Sequence, residues 1–323
     1  MKNIRLGHSE LEVSRIAFGT WQLGGDWGAT DEEAAVAAIR RAADRGINFF
    51  DTAQAYGFGA SESLLAKALK GMPRDQVVIA TKGGLRPIAG GGNERDSSPD
   101  WIRRGVDSSL KALGTDYIDL YQIHWPDPKV PFAETAGALA DLKAAGKIRH
   151  VGVSNYDAAE MAEFSRTLPV ETLQPVYHMF RRDIEESVLP YTKAHDIGVL
   201  AYGPLGHGLL SGALTPETRF APDDWRSKSD VFQGEPYRRN LRVVSALDRF
   251  AQLELGTSVS RLAIAWVLAN PAVQVAIVGT RNPGHIDDAI AAAELKLDAS
   301  ALRRIEDIIS DEVRVGGPSP ESV

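Results

Sequence analysis

The chain has 323 residues, of which 44% are hydrophobic and 24% are charged, and this composition is typical of an ordinary globular protein with a large core. Cysteine is absent, which excludes a disulfide framework, a thiol nucleophile, an iron–sulfur cluster and a cysteine-ligated zinc site. The 43 acidic and 36 basic residues give a net charge of −7, so the overall basic surface of a nucleic-acid-binding protein is missing.

The N-terminus, MKNIRLGHSELEVSR, lacks the apolar core of a secretory signal, and no run of about 18 apolar residues follows it anywhere in the chain. We therefore expect a cytoplasmic protein without a membrane span. Within this segment, the short apolar pieces Ile4–Leu6 and Leu11–Val13 flank the turn-like residues 7–9. The pattern predicts a β-hairpin at the start of the chain.

From residue 16 onward, short apolar runs alternate with amphipathic stretches of helical period. The runs predict eight strands: Ile16–Phe18, Ile47–Phe50, Val77–Thr81, Tyr117–Ile123, Ile148–Val153, Thr172–Val176, Val199–Tyr202 and Val273–Val278. The intervening stretches predict eight helices: 31–45, 61–70, 99–113, 132–145, 157–166, 185–195, 258–269 and 284–293. Eight strand–helix units favour a closed (β/α)8 TIM barrel over the alternative, an open doubly wound sheet.

Local residues mark the predicted helix ends. Asp31 and Ser61 are expected to be N-caps, since their side chains can accept hydrogen bonds from the first turn. Gly46, Gly114 and Gly146 stand just past helix ends, where a left-handed backbone is common.

Two segments depart from the alternation. Residues 203–240, after the seventh strand, are rich in Gly, Pro, Asp and Arg and predict a long functional loop. Residues 298–312 predict one further amphipathic helix at the C-terminal end. No stretch has the composition of a linker, so we expect a single domain over residues 1–323, with 89–93 as a flexible loop.

Ionisable residues end three consecutive predicted strands. Asp51, Lys82 and His124 end strands two, three and four, and Tyr56 lies on the loop that leaves strand two. Because barrel enzymes place their chemistry at the C-terminal strand ends, we expect these four side chains to meet at one mouth. Taken singly, an Asp–Lys pair also fits a plain salt bridge, and a strand-end histidine also fits a structural role.

The joint placement predicts proton transfer. An ammonium beside a tyrosine hydroxyl favours the phenolate and lowers the pKa of the hydroxyl from its ordinary value of about 10. Asp51 can keep Lys82 charged and oriented, and His124 can donate a hydrogen bond to a substrate oxygen. The set is suited to protonating an oxygen as it becomes an alkoxide, and it needs no metal.

The spacing of several motifs resembles the aldo-keto reductase family over essentially the whole chain. In family order these motifs are DTAQAY (51–56), YGFGASE (56–62), ATK (80–82), DYIDLYQIHWPDP (116–128), VGVSN (151–155), LQPVYH (173–178), AYGPLGHGLLSG (201–212) and IVGTRNP (277–283). The resemblance implies an NADPH-dependent reductase that converts a small aldehyde or ketone to an alcohol. It also implies a cofactor bound across a TIM barrel, and no G-x-G-x-x-G dinucleotide motif follows a strand here.

By the resemblance, Tyr56 is the general acid, Lys82 lowers its pKa, Asp51 orients Lys82 and His124 positions the carbonyl. Ser154, Asn155 and Gln174 then bind the nicotinamide carboxamide, and Tyr202 stacks on its ring. The remaining residues expected around NADPH or NADP+ are Gly19, Thr20, Trp21 and Asp51 near the nicotinamide end, Gly203, Leu205, His207 and Gly208 over the pyrophosphate, and Gly279, Thr280, Arg281, His285 and Asp288 at the 2′-phosphate and adenine.

Aromatic residues on the loops predict an apolar carbonyl pocket. The residues expected to contribute are Trp21, Phe58, Arg86, Trp125, Trp225, Phe232 and Tyr237. Packing of the loops onto the rim, without substrate contact, explains each of the aromatic residues equally well. Two other functions compete with the reductase: a cofactor-sensing regulatory subunit that resembles the potassium-channel β-subunits, and a metal-dependent barrel hydrolase, which the missing H-x-H motif on the first strand disfavours.

Overall fold

The computed structural model describes residues 1, 3–24, 31–222, 224–310 and 312–315. Its strands are β1 (Asn3–Arg5), β2 (Glu12–Ser14), β3 (Ile16–Gly19), β4 (Phe49–Asp51), β5 (Val78–Gly83), β6 (Leu85–Pro87), β7 (Asn93–Arg95), β8 (Ile118–Ile123), β9 (Ile148–Ser154), β10 (Thr172–Gln174), β11 (Gly198–Tyr202) and β12 (Val275–Gly279). Its helices are α1 (Glu32–Asp44), α2 (Ala60–Leu69), α3 (Pro99–Leu113), α4 (Phe132–Ala144), α5 (Ala158–Phe164), α6 (Val188–Ala194), α7 (Gly234–Leu255), α8 (Val259–Ala269), α9 (Gly284–Glu294) and α10 (Ala299–Ile309).

Eight parallel strands close into a barrel in the order β10, β11, β12, β3, β4, β5, β8 and β9. The closure confirms the TIM barrel and rules out the open sheet. The register pairs Gly19 with Asp51, Lys82 with Gln122 and, on the far side, Gln174 with the end of β9. The residues that end these strands are therefore neighbours around one rim.

The predicted hairpin is present as the antiparallel pair β1 and β2, and it closes the N-terminal end of the barrel. Its apolar side chains Leu6, Leu11 and Val13 join one buried cluster with barrel residues such as Phe49 and Leu200. A second, larger cluster packs the outer face of the strands against the helices. The barrel is thus filled and covered at one end, and its opposite rim carries the loops.

The helix-end predictions hold except at Ser61. Asp31 accepts a hydrogen bond from the Ala34 N–H at 3.1 Å, and Gly114 ends α3 with φ of 62°. The N-cap of α2 is Gly59, so the Ser61 prediction is wrong. Ser61 is buried inside the first turn, and its hydroxyl donates to Thr20 Oγ1 at 2.8 Å because the end of β3 lies against the helix.

The predicted long loop is shorter than expected, because α7 already begins at Gly234. Short 3₁₀ turns occupy Gly206–Ser211, Trp225–Lys228 and Asp230–Phe232 within it. The predicted flexible stretch 89–93 lies largely between β6 and β7, which pair as a second antiparallel hairpin. The predicted C-terminal helix is present as α10.

None of the described helices is both long enough and apolar enough to cross a membrane.

Candidate active site

The four side chains predicted to transfer a proton meet at the C-terminal rim of the barrel. All are buried, and only 1% of Lys82 and of His124 is exposed. The Lys82 ammonium donates hydrogen bonds to Asp51 Oδ2 at 2.7 Å, to the Thr52 carbonyl at 3.0 Å and to the Tyr56 hydroxyl at 3.3 Å. Each of its three N–H groups therefore has an acceptor, and one of these acceptors is the phenol oxygen of Tyr56.

His124 borders the same space as the phenol of Tyr56. The centroids of the two rings are 5.8 Å apart in an edge-to-face arrangement. The His124 backbone N–H donates to the Gly83 carbonyl at 2.9 Å, and its carbonyl accepts from Asn155 Nδ2 at 3.2 Å. The backbone of this histidine is thus held beside the tyrosine by a bond to the end of β5 and by the side chain of Asn155, which follows β9.

Both carboxylate oxygens of Asp51 accept hydrogen bonds. While Oδ2 accepts from Lys82, Oδ1 accepts from Gln174 Nε2 at 2.8 Å and from Gln122 Nε2 at 3.5 Å. The sequence reading missed Gln122, although it precedes His124 by two residues in β8, and alternate residues of a strand share one face. These amides, together with Lys82, hold the carboxylate of Asp51 in one orientation.

A second buried carboxyl, Glu62, lies in the first turn of α2. Thr81 Oγ1 donates to Glu62 Oε1 at 2.7 Å, which links the segment carrying Tyr56 to the strand carrying Lys82. Burial raises the pKa of Glu62, and the hydrogen bond from Thr81, the nearby Ser109 hydroxyl and the charge of Lys82 oppose that rise. The group therefore favours its neutral form more than an exposed glutamate does.

Glu62→Gln is expected to make the protein more stable than the wild type at pH 8. A raised folded-state pKa means that the stability from the protonated carboxyl is fully present below its unfolded value of about 4.5 and is lost as pH rises through the folded value. Glutamine stays neutral and can still accept from Thr81. Urea unfolding between pH 5 and pH 8 should show an advantage that grows with pH.

Glu62→Ala, which also loses the acceptor, should be less stable than the wild type across this range, and the exposed change Glu33→Gln should show no such trend. A Glu62→Gln protein that is less stable than wild type at pH 8 contradicts the burial argument.

A cleft of about 880 Å³, counting the part open to solvent, is lined by Asp51 and Tyr56 of the four, whereas Lys82 and His124 are not among its lining residues. The predicted site residues that line it are Gly19, Thr20, Trp21, Asp51, Tyr56, Gln174, Tyr202, Gly203, Leu205, His207, Gly208 and Gly279. The lining residues that the sequence reading missed are Gln22, Pro204, Arg226, Ile277 and Val278. Ile277 and Val278 precede Gly279 in β12, so the predicted strand already places them near the cleft. Arg226 belongs to the long loop, whose path the sequence does not predict.

Ser154 and Asn155 adjoin this lining. Ser154 Oγ donates to the Gln174 carbonyl at 2.8 Å, and Asn155 Nδ2 donates to Ser154 Oγ at 3.0 Å. The Tyr202 hydroxyl donates to Asn155 Oδ1 at 3.0 Å. Asn155 has φ of 62°, a left-handed backbone that asparagine tolerates better than most residues. The four residues form one connected polar group beside the cleft.

The turn after Tyr202 uses two of its own N–H groups. Gly206 N donates to the Gly203 carbonyl at 2.8 Å, and Gly208 N donates to the Leu205 carbonyl at 3.1 Å. Of the four residues predicted over the pyrophosphate, Gly208 therefore directs its N–H within the turn.

Positive charge gathers at the cleft end near β12. Arg226 donates to both Asp224 oxygens and to the His207 carbonyl at 3.2 Å. Burial acts to raise the pKa of Asp224, but the hydrogen bonds and charge of Arg226 and the charge of Arg281 hold it below its ordinary value. The two guanidinium groups thus act on one carboxylate.

Beyond Arg281, Thr280 Oγ1 lies 3.1 Å from His285 Nδ1. Asp288, predicted near an adenine, has its carboxylate paired with Arg261 at 2.5 Å, which joins α9 to α8.

The predicted aromatic wall is only partly present. His207 packs edge-to-face against Trp21 at 5.9 Å and against Trp225 at 5.1 Å between ring centroids. Phe232 and Tyr237 are buried in the helix layer instead, so their assignment to the wall is wrong. A segment this long needs apolar side chains of its own to pack onto the barrel.

Three other residues expected near a substrate do not line the cleft in the described part of the chain. Phe58 is 42% exposed, Arg86 pairs with Glu94 at 2.5 Å, and the Trp125 ring lies under the Arg95 guanidinium at 5.2 Å.

Comparisons with known proteins agree with this geometry. The model of the aldo/keto reductase family matches residues 15–310. Aldo-keto reductase YhdN of Bacillus subtilis is 42% identical over 97% of this chain and 95% of its own. The NADH-specific methylglyoxal reductase of Escherichia coli is 33% identical over 96% of this chain and 99% of its own. The solved structure of glycerol dehydrogenase AKR11B4 from Gluconobacter oxydans superposes with a TM-score of 0.90 at 38% identity, covering 99% of this chain and 98% of that one.

The resemblance inferred from the motifs is therefore confirmed over nearly the whole chain. The chain belongs to the aldo/keto reductase family of nicotinamide-dependent oxidoreductases, as the barrel, the matched family model and these relatives show.

Proposed function

We propose that the protein is an NADPH-dependent reductase of a small aldehyde or ketone, with Tyr56 as the general acid. The observation that carries the proposal is the Lys82 ammonium, which donates both to the Tyr56 hydroxyl at 3.3 Å and to Asp51 Oδ2 at 2.7 Å beneath an open cleft. A positive charge at this distance stabilises the phenolate that forms when Tyr56 releases its proton.

His124 completes the proposed site. Its ring borders the Tyr56 ring, so an oxygen that accepts the phenol proton also comes within reach of the imidazole. Because all four side chains are buried, their charges and dipoles act with little screening by water. The Tyr56 hydroxyl then donates its proton to the substrate oxygen, and His124 holds that oxygen in place. Lys82, oriented by Asp51, stabilises the phenolate that remains.

The cleft fits a nicotinamide cofactor. The side-chain oxygens of Ser154, Asn155 and Gln174 are acceptors suited to the amino group of a carboxamide, and the Tyr202 ring lines the same space. Arg226 and Arg281 place positive charge at the other end, where phosphate groups need it. When bound, the cofactor supplies the hydride for the carbonyl carbon.

The direct test is reduction of a panel of aldehydes and ketones with NADPH or NADH, followed by loss of the reduced-nicotinamide absorbance. Methylglyoxal and glycerol, which two relatives are named for, serve as a test aldehyde and, in the oxidative direction, a test alcohol. Failure of every carbonyl with both cofactors contradicts the proposal and favours a cofactor-sensing subunit.

Arg281→Ala is expected to weaken NADPH binding by about 10- to 150-fold, since a charge-assisted hydrogen bond contributes roughly 1.5–3 kcal/mol. NADH lacks the 2′-phosphate, so its affinity should change little. Fluorescence titration with both cofactors measures the difference, and Arg303→Ala, an exposed arginine on α10, is the matched control. Equal weakening of both cofactors, or of neither, removes Arg281 from this role and leaves NADH as the better candidate.

A further inference from the structure

A short turn lies against the residue proposed as the acid. The turn begins at Thr20, whose N–H donates to the Asp51 carbonyl at 3.0 Å, and it continues as the 3₁₀ segment Trp21–Leu23. It closes with the Gly24 N–H donating to the Trp21 carbonyl at 3.1 Å. Hydrogen bonds therefore tie the turn to the end of β4, which carries Asp51.

Gly24 leaves no room for a side chain. A Cβ on Gly24 would lie 2.9 Å from both the carbonyl carbon and the Cβ of Tyr56, and 3.0 Å from its Cα. These atoms belong to the backbone and its first side-chain carbon, so no rotamer change can relieve the contact. Gly24 itself has φ of −82° and ψ of −5°, which any residue adopts. Glycine is required at position 24 because a side chain would collide with Tyr56, and not because of its backbone conformation.

A second close contact joins the tyrosine segment to the turn. Gly57 has φ of 67°, and a Cβ there would lie 2.7 Å from the Gly24 carbonyl oxygen and 3.0 Å from Ala60 Cβ. The Tyr56 N–H donates to the Ala53 carbonyl at 3.1 Å. Pressure from Gly24 would therefore displace Tyr56 itself.

Ser61 links the same turn to α2 from the other side. Its hydroxyl donates to Thr20 Oγ1 at 2.8 Å and accepts from Thr52 Oγ1 at 3.2 Å. Because α2 begins four residues after Tyr56, this link and the Gly24 contact enclose the tyrosine segment between them.

We propose that the turn Thr20–Gly24 is a positioning element for Tyr56, acting through the bare Cα of Gly24 and the Ser61 link. The Tyr56 hydroxyl lies 3.3 Å from Lys82 Nζ, near the long end of a hydrogen bond, so a small displacement separates the two groups. The inference rests on the proposed role of Tyr56.

Gly24→Ala tests the idea by adding one methyl group. Misplacement of a reacting group by about 1 Å can cost about 100-fold, so we expect kcat to fall by roughly 10- to 100-fold with little change in cofactor affinity. The alkaline fall of the reduction rate should also move to higher pH, because a phenol farther from the ammonium keeps its proton longer. The matched control is Gly137→Ala in α4, where nothing lies within 4 Å of an added Cβ.

A double-mutant cycle separates positioning from general damage. In a Tyr56→Phe background there is no phenol to misplace, so Gly24→Ala should change the residual single-turnover rate by less than about twofold. Ser61→Ala removes the link without adding bulk, and it should lower kcat several-fold in the wild type and not in Tyr56→Phe. This second variant decides the matter if Gly24→Ala does not fold, as judged by circular dichroism and thermal unfolding.

Two results overturn the inference: Gly24→Ala and Ser61→Ala as active as Gly137→Ala, or losses that persist at full size in the Tyr56→Phe background. Neither result touches the proposed reductase function, and the role of Tyr56 as the acid fails separately, if Tyr56→Phe alone keeps most of the wild-type kcat.

Discussion

Tyr56→Phe is expected to lower carbonyl reduction by about 10²- to 10⁴-fold, the usual contribution of a general acid, with cofactor affinity unchanged. The substitution keeps the ring that packs against His124 at 5.8 Å and near Trp21 at 6.5 Å. It removes only the hydroxyl that accepts from Lys82. Steady-state kinetics with fluorescence titration of the cofactor separates the loss of chemistry from any loss of binding.

Tyr191→Phe is the matched control, because it removes a hydroxyl in α6, outside the residues that line the cleft. It should reduce carbonyls as the wild type does. A Tyr56→Phe protein that keeps most of the wild-type kcat shows that another group supplies the proton.

Lys82→Met is expected to be at least as damaging to kcat, and it should also destabilise the fold by about 3–5 kcal/mol. Lys82 and Asp51 form a 2.7 Å ion pair with almost no exposure, so removing the ammonium leaves a buried carboxylate without its partner. Without that charge, the phenol keeps its proton to higher pH, and the alkaline limb of the pH–rate profile should move upward. Kinetics across pH and urea unfolding measure the two effects.

The double variant Asp51→Asn with Lys82→Met separates stability from catalysis. It removes both charges, so it should regain much of the lost stability while remaining inactive. The exposed Lys67, which pairs with Glu32 at the surface, provides the comparison, since Lys67→Met should cost no more than about 1 kcal/mol and leave kcat unchanged. A Lys82→Met protein with near wild-type activity and an unchanged pH profile contradicts the coupling to Tyr56.

The barrel and the centre of the site could be predicted because all eight strands run parallel and end at the same rim. Once eight apolar runs are placed, Asp51, Lys82 and His124 follow as rim residues, and the motifs add Tyr56 and Tyr202. Gln122 escaped notice although it shares a face with His124, because a polar residue inside an apolar run carries no separate signal.

The segment after β11 was harder to predict. The α7 helix starts at Gly234 with Pro236 in its first turn, and glycine and proline are typical of a turn, so the sequence predicts a loop where the helix begins. Its apolar positions Leu241, Val244 and Leu247 follow only after this start. The place of Arg226 beside the cleft depends on how the segment folds back over the rim, and no local pattern encodes that path. The same tertiary packing buries Phe232 and Tyr237.

The hairpin that covers the N-terminal end of the barrel has a kinetic consequence. Because the barrel interior is filled behind that hairpin, the cleft is a blind space whose floor is the Asp51–Gln174 hydrogen bond. In the proposed reaction, cofactor and carbonyl compound therefore both enter from the rim that carries the loops, and we expect the molecule that lies deeper to bind first and to leave last. We therefore expect a compulsory order of addition, in which the second product to leave competes with the first substrate to bind.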